Sequence, residues 1–322
     1  MRQVYEDVHE FFHALGVFFD QLASVSWPAL AIALALHFGK VAVRTVAWRN
    51  ILRAAYPETR VPLPPVFGAY VAGVGINSIV PGRGGDLVKL YLVRRKISGA
   101  TYTTLASTLF TETLVDLVLA SSIFIWALTQ GVLPSLDVLP NLPSFDWGWL
   151  LRHGRLTATV VAVLTLATLW FVWWASRHIE EFKQRVGAGV AILRDRPRYL
   201  REVASWQLLS WVLRIASLYF FLRAFHVRAT VHNALLAQTV DSLATLLPFS
   251  PGGAGTKQGL LVYVLRGQAP SSELLAFSVG TNIAIVLFNV AVAAAAIFLM
   301  LRTLRLGVII GRAKAARKSE QA

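Results

Sequence analysis

Long apolar runs alternate with short basic connectors along this chain, and the runs predict helices of membrane-spanning length. Leu156 to Ser176 and Leu274 to Leu301 are free of charge and long enough for a bilayer that requires roughly 20 apolar residues. Three further runs carry charge inside an apolar helix: Trp27 to Leu52 with Lys40 and Arg44, Thr101 to Gln130 with Glu112 and Asp116, and Val203 to Leu222 with Arg214. Ahead of them, Val4 to Leu22 alternates acids with Phe11, Phe12, Phe18 and Phe19, the pattern of a helix lying in the interface.

Two apolar runs are broken by proline and glycine. In NSIVPGRGGDLVKLYLVRRK, from Asn77 to Lys96, Pro81 removes a backbone donor and Gly82, Gly84 and Gly85 permit non-helical conformations. One helix is expected to end at Val80 and another to begin near Asp86. The run Val66 to Val80 is too short to cross, so Val66 to Lys96 reads as a re-entrant hairpin with Arg83 at its tip. A second break, SLATLLPFSPGGAGTKQGLL from Ser242 to Leu261, carries Pro251, Gly252 and Gly253.

Composition agrees with a membrane location: 56% of residues are hydrophobic, 15% are charged and the mean hydropathy is +0.57. The net charge of +14 would suggest nucleic acid in a soluble protein. Here the basic residues collect beside the spans, as the positive-inside rule describes, so no nucleic acid is expected. Arg49, Arg53 and Arg60, then Arg94, Arg95 and Lys96, then Arg177 to Arg201 mark cytoplasmic ends, as does the basic tail. The chain has no cysteine, which excludes thiolate metal sites and thiol nucleophiles. The N-terminus shows no basic segment followed by an apolar core, so no cleaved signal peptide is expected.

Sliding the sequence by 170 residues superposes Pro81 on Pro251, Gly82 on Gly252, Gly85 on Gly255, Arg44 on Arg214 and Thr111 on Thr281 without a gap. With the orientation read from charge, the expected fold is an all-α integral membrane protein, an inverted-topology repeat with two re-entrant broken-helix hairpins. The expected organisation is an interfacial helix at 1–26 and a transmembrane unit at 27–301, followed by a basic cytoplasmic tail at 302–322. Within the unit lie repeat 1 (about 27–130), a linking span (156–176) and repeat 2 (about 203–301). The expected location is the plasma (inner) membrane.

Ionisable residues inside spans mark pathways or ion pairs. Arg83, between glycines, is either a phosphate contact or the ion partner of Glu112 or Asp116. Glu112 and Asp116 are four apart and share a face, as a proton-coupling pair or as static counter-charges. Lys40 and Arg44 either snorkel to the inner interface or meet a lipid phosphate. Arg214, near the middle of its span, is read as a substrate contact. Asp241 is the nearest acid to the second break, and Lys257 is that hairpin's counterpart to Arg83 in charge. No HExxH spacing, Walker A loop or Gly-x-Ser-x-Gly elbow occurs, so no metal, cofactor or catalytic residue is expected.

Arg49 in VAWRNIL, the segment NSIVPGRGGDLVK, Glu112 with Asp116 in TETLVD, and LLPFSPGGAGTKQG together resemble the flippase-like family named after the transmembrane region of lysylphosphatidylglycerol synthase. The resemblance covers about Trp27 to Leu301. Departures include Asp86, Thr113 and Gln258, where members often carry Glu, Arg and Glu. It implies translocation of a lipid between leaflets rather than catalysis. On that reading Arg83, Arg214, Arg44, Lys40, Lys257, Gly82, Gly84, Gly252 and Gly253 bind an anionic or phosphate-bearing head group. Glu112, Asp116, Asp86 and Asp241 balance them, and Pro81 and Pro251 act as hinges. The alternative is an accessory subunit of, or an enzyme in, lipid or polyprenyl-phosphate modification, with a lipid-modifying enzyme as partner.

Overall fold

The computed structural model describes residues 24–80, 84–130, 180–246 and 256–301. The expectations for Pro81, Gly82, Arg83, Pro251, Gly252, Gly253, the interfacial helix, the linking span and the basic tail fall outside these residues. Every regular element among the described residues is helical: α1 (Trp27–Ala55), α2 (Leu63–Asn77), α3 (Gly84–Arg94), α4 (Tyr102–Thr129), α5 (Glu180–Gly189), α6 (Arg196–Ala224), α7 (Val231–Leu246), α8 (Thr256–Val264) and α9 (Ser271–Leu301). A π-type turn at Leu200–Ala204 interrupts the first part of α6.

Among the described residues four helices, α1, α4, α6 and α9, are long and apolar enough to cross a membrane. At a rise of about 1.5 Å per residue each exceeds the roughly 30 Å of a hydrocarbon core. The boundaries match the hydropathy reading to within a few residues, except that α6 begins seven residues before Val203, where Pro197 in the first turn suits a helix start. Long, short, short, long is the order of α1 to α4, and α6 to α9 repeat it at an offset of about 170 residues.

The corresponding helices α1 and α6 pack side by side and run antiparallel. Ser26 N donates to Ala224 O at 2.9 Å, Ser217 Oγ to Ala33 O at 2.8 Å, and Asn50 Nδ2 to Glu202 O at 2.7 Å. Two apolar cores flank the middle of this pair. One gathers the C-terminal half of α1 with α2, α3, the start of α4 and Ile297; the other gathers the N-terminal half of α1 with the end of α6, α7, α8, the start of α9 and Ala127.

The first break differs from expectation in its limits. α2 ends at Asn77, three residues early, and α3 begins at Gly84, two residues before Asp86. The cause is the Asn77 side chain, which leaves the helix to accept from Gly85 N at 2.8 Å while donating to Asp86 Oδ1 at 3.0 Å. Ser78 and Val80 still donate to Val74 and Ile76 in a closing turn. The tip of α2 lies at the middle of two long helices, since Asn289 of α9 donates to Ser78 Oγ and accepts from His37 of α1.

Close approach of α2 to α9 depends on small residues, as is usual for helix contacts inside a membrane. A Cβ on Gly75 would collide with the Asn289 carbonyl and with Ala293 Cβ. Gly75→Ala is therefore expected to separate the two helices and cost about 1–3 kcal/mol, read as a lower midpoint of thermal unfolding in detergent micelles. An unchanged midpoint would show that the backbones relax without loss.

Candidate functional site

A belt of charge is built from two clusters, the first set against Trp48 and Tyr70 of the first apolar core. The first is neutral in sum. Arg44 Nη2 of α1 lies 3.1 Å from Glu112 Oε1 and 2.5 Å from Asp116 Oδ2, both on α4. Lys89 Nζ of α3 lies 3.0 Å from Glu112 Oε2. Tyr70 of α2 completes the group: its hydroxyl accepts from Arg44 Nε at 2.9 Å and donates to Glu112 Oε1 at 2.6 Å. Two cations thus meet two carboxylates, each oxygen of Glu112 is engaged, and four helices are tied together.

The aromatic surroundings suit buried cations. Lys89 Nζ sits 4.0 Å from the Trp48 ring centre and 3.8 Å from that of Tyr70, a cation–π arrangement in a site where lysine is only 4% exposed. Trp48 Nε1 in turn donates to Thr108 Oγ1 at 3.1 Å. From α6, Gln207 Nε2 donates to the Glu112 carbonyl at 2.8 Å and Trp211 Nε1 to Asp116 Oδ1 at 2.8 Å.

Trp211 also borders the second cluster, since the Arg214 guanidinium lies 5.2 Å from its ring. Here Asp241 of α7 is held between Lys257 Nζ of α8 at 2.5 Å and Arg214 Nη2 at 3.4 Å. Lys40 of α1 lies within electrostatic reach of Arg214, Arg44, Asp241 and Asp116. Among the described residues Arg214 and Lys257 thus share one carboxylate, and Lys40 lies beside them. Arg214, Asp241 and Lys257 are partly exposed.

Lys40 is aimed by a chain of hydrogen bonds whose directions follow from its far end. The Val74 carbonyl can only accept, so Ser78 Oγ donates to it at 3.0 Å and accepts from Asn289 Nδ2 at 3.1 Å. Asn289 then presents Oδ1 to His37, whose Nε2 lies 3.0 Å away and carries the hydrogen. His37 Nδ1 is left as an acceptor, and Lys40 Nζ lies 3.3 Å from it. The chain connects the second cluster with the residues just before the first break.

Of the residues singled out from sequence, the structure brings Arg44 together with Glu112 and Asp116, and Arg214 with Lys257 and Asp241, with Lys40 beside them. Asp86 accepts from Asn77 and lies within electrostatic reach of Lys89, and Gly84 is the first residue of α3. Lys89, Tyr70, Trp211 and Asn289 belong to the site and were not singled out. Lys89 carried a signal: a lone cation in the apolar run LVKLYLV, on a helix packed against other helices, requires a counter-charge.

The comparisons with known proteins agree with this placement in a membrane. The chain is 25% identical over 202 residues to a UPF0104 membrane protein of Methanocaldococcus jannaschii, across 59% of this chain and 79% of that one. No solved structure matches. Residues 14–293 match the family described as the lysylphosphatidylglycerol synthase transmembrane region, so the chain belongs to that family of multi-pass membrane proteins.

Proposed function

We propose that this protein moves an anionic, phosphate-bearing lipid between the leaflets of the plasma membrane, as a transporter and not an enzyme. The observation that carries the reading is the imbalance of the second cluster. Among the described residues Arg214 and Lys257 share the one carboxylate of Asp241, with Lys40 beside them, so the cluster holds more positive than negative charge. Uncompensated charge inside a membrane is costly, and a phosphate passing through the chamber supplies the missing counter-charge. The neutral Arg44–Glu112–Lys89–Asp116 cluster has no such deficit, so its role is to fasten the helices around the chamber.

The inverted arrangement of the two halves belongs to the same proposal. Its support is the antiparallel packing of α1 and α6, which occupy equivalent places in the repeated element order, and the mid-span position of the α2 tip. Two such halves with broken helices at the midplane suit alternating access, with Pro81 and Pro251 as hinges and the C-terminus cytoplasmic. An apolar groove of about 460 Å³ beside α1, lined by Val43, Val46, Leu63, Phe67 and Trp206, offers room for an acyl chain.

The test is translocation of fluorescent anionic lipid in liposomes holding the purified protein. Arg214→Ala is expected to slow it about tenfold, the loss of one charge-assisted contact of roughly 1.5 kcal/mol, with the unfolding midpoint little changed. Equal rates for the two proteins would remove Arg214 from the pathway. Chemical turnover of the lipid by pure protein would replace transport with catalysis.

A further inference from the structure

A second basic site lies away from the two charge clusters, at the turn between α3 and α4. A cavity of about 470 Å³ is lined by Tyr91, Arg94, Arg95, Lys96, the segment Ile97 to Ala100, and Tyr102. Three cations border it and no carboxylate does. Its volume falls within the range that holds small ligands, roughly 300–1,000 Å³.

The turn is rigidly held, which separates this cavity from a loose basic surface. Arg94 Nε donates to the Ala100 carbonyl at 3.1 Å, closing the turn across its mouth. Within the turn, Ile97 N donates to Val93 O at 3.2 Å and Ala100 N to Ile97 O at 3.3 Å. Gly99 takes φ +73°, a conformation that side chains with a Cβ rarely adopt. The guanidinium groups are steered by rings: Arg94 lies 4.7 Å from the centre of Tyr102 and Arg95 lies 5.8 Å from that of Tyr91. Arg95, Lys96 and Ser98 are exposed at the cavity edge.

Position decides what such a cavity meets. Tyr102 is the first residue of the candidate span Tyr102–Ala127, so the cavity opens where that helix leaves the hydrocarbon. Tyr91 and Tyr102 are the kind of residue found at that level. Each exposed cation near an anionic leaflet adds to the attraction, and arginine offers paired donors to phosphate oxygens.

We propose that this cavity binds the phosphodiester head group of an anionic lipid from the adjacent leaflet, as a resident lipid separate from the transported one. The proposal does not depend on transport. The experiment is native mass spectrometry of the full chain released from nanodiscs that contain phosphatidylglycerol and phosphatidylcholine. The double variant Arg95→Gln/Lys96→Gln, altered only at exposed positions, is expected to retain at least one phosphatidylglycerol fewer than the wild type, with about tenfold weaker retention. Phosphatidylcholine retention and the unfolding midpoint are expected to stay the same. Arg214→Ala is expected to keep the resident lipid, which separates this site from the chamber. Equal phosphatidylglycerol retention by wild type and double variant would overturn the proposal. Displacement of the lipid by millimolar inorganic phosphate would overturn the lipid assignment in favour of a soluble phosphate.

Discussion

Glu112→Ala is expected to destabilise the folded protein by about 3–5 kcal/mol, more than any other single change at the charge belt. The carboxylate is 4% exposed and holds Arg44, Lys89 and the Tyr70 hydroxyl, from α1, α3 and α2 respectively. Without it Arg44 keeps Asp116, but the Lys89 ammonium loses its only ion pair among the described residues and remains between two aromatic rings. The cost comes from leaving that cation buried, and so it should shrink when the cation is removed as well. Glu112→Leu combined with Lys89→Leu is expected to recover a large part of the loss. Reversible unfolding in mixed micelles measures both variants. A Glu112→Ala protein within 1 kcal/mol of wild type would mean that water reaches Lys89 freely, and the fastening role of the cluster would fall.

Much of the fold could be read from the sequence, because a bilayer imposes one strong constraint. α1, α4, α6 and α9 had to be apolar over their length, and hydropathy located each to within a few residues apart from the polar first turns of α6. The offset that superposes Pro81 on Pro251 in the sequence also separates, to within a few residues, the bounds of α1 from α6 and of α4 from α9. What sequence could not supply was the pairing of charges. Arg44, Lys40, Lys89 and Arg214 all lie on apolar helices, and three carboxylates were available to them. Which cation meets which carboxylate depends on the rotation of each helix and on the approach of α3 to α4, and neither leaves a periodic trace. Asn77 illustrates the same limit at the scale of one residue. Its side chain crosses to Gly85 and moves the helix ends, a contact between positions eight apart that helix and turn rules do not anticipate.

The two clusters share a boundary in Trp211, whose indole N–H holds Asp116 while its ring faces Arg214. One side of this residue is fully paired and the other is short of negative charge. In the proposed transport reading that division gives the belt two purposes: the neutral side resists opening of the helices, and the side richer in cations is the one an anion would stabilise. Mutations on the two sides should accordingly separate, with stability falling on one and lipid handling changing on the other.

Asp241→Asn gives the sharpest form of that separation. Among the described residues Asp241 is the one carboxylate paired with Arg214 and Lys257, and it occupies the cations that a phosphate would otherwise meet. At an effective dielectric constant of about 20, a carboxylate and a phosphate charge about 5 Å apart repel by roughly 3 kcal/mol. Neutralising Asp241 is therefore expected to tighten binding of an anionic lipid on the order of a hundredfold while slowing translocation, because release becomes the difficult step. Some stability should also be lost, though less than at Glu112, since Asp241 and its partners are partly exposed. Lipid affinity in nanodiscs and translocation in liposomes, measured on the same preparation, check the pair of effects. Weaker binding together with slower translocation would show instead that Asp241 holds the cations in place for the lipid, and its role as the competing anion would have to be abandoned.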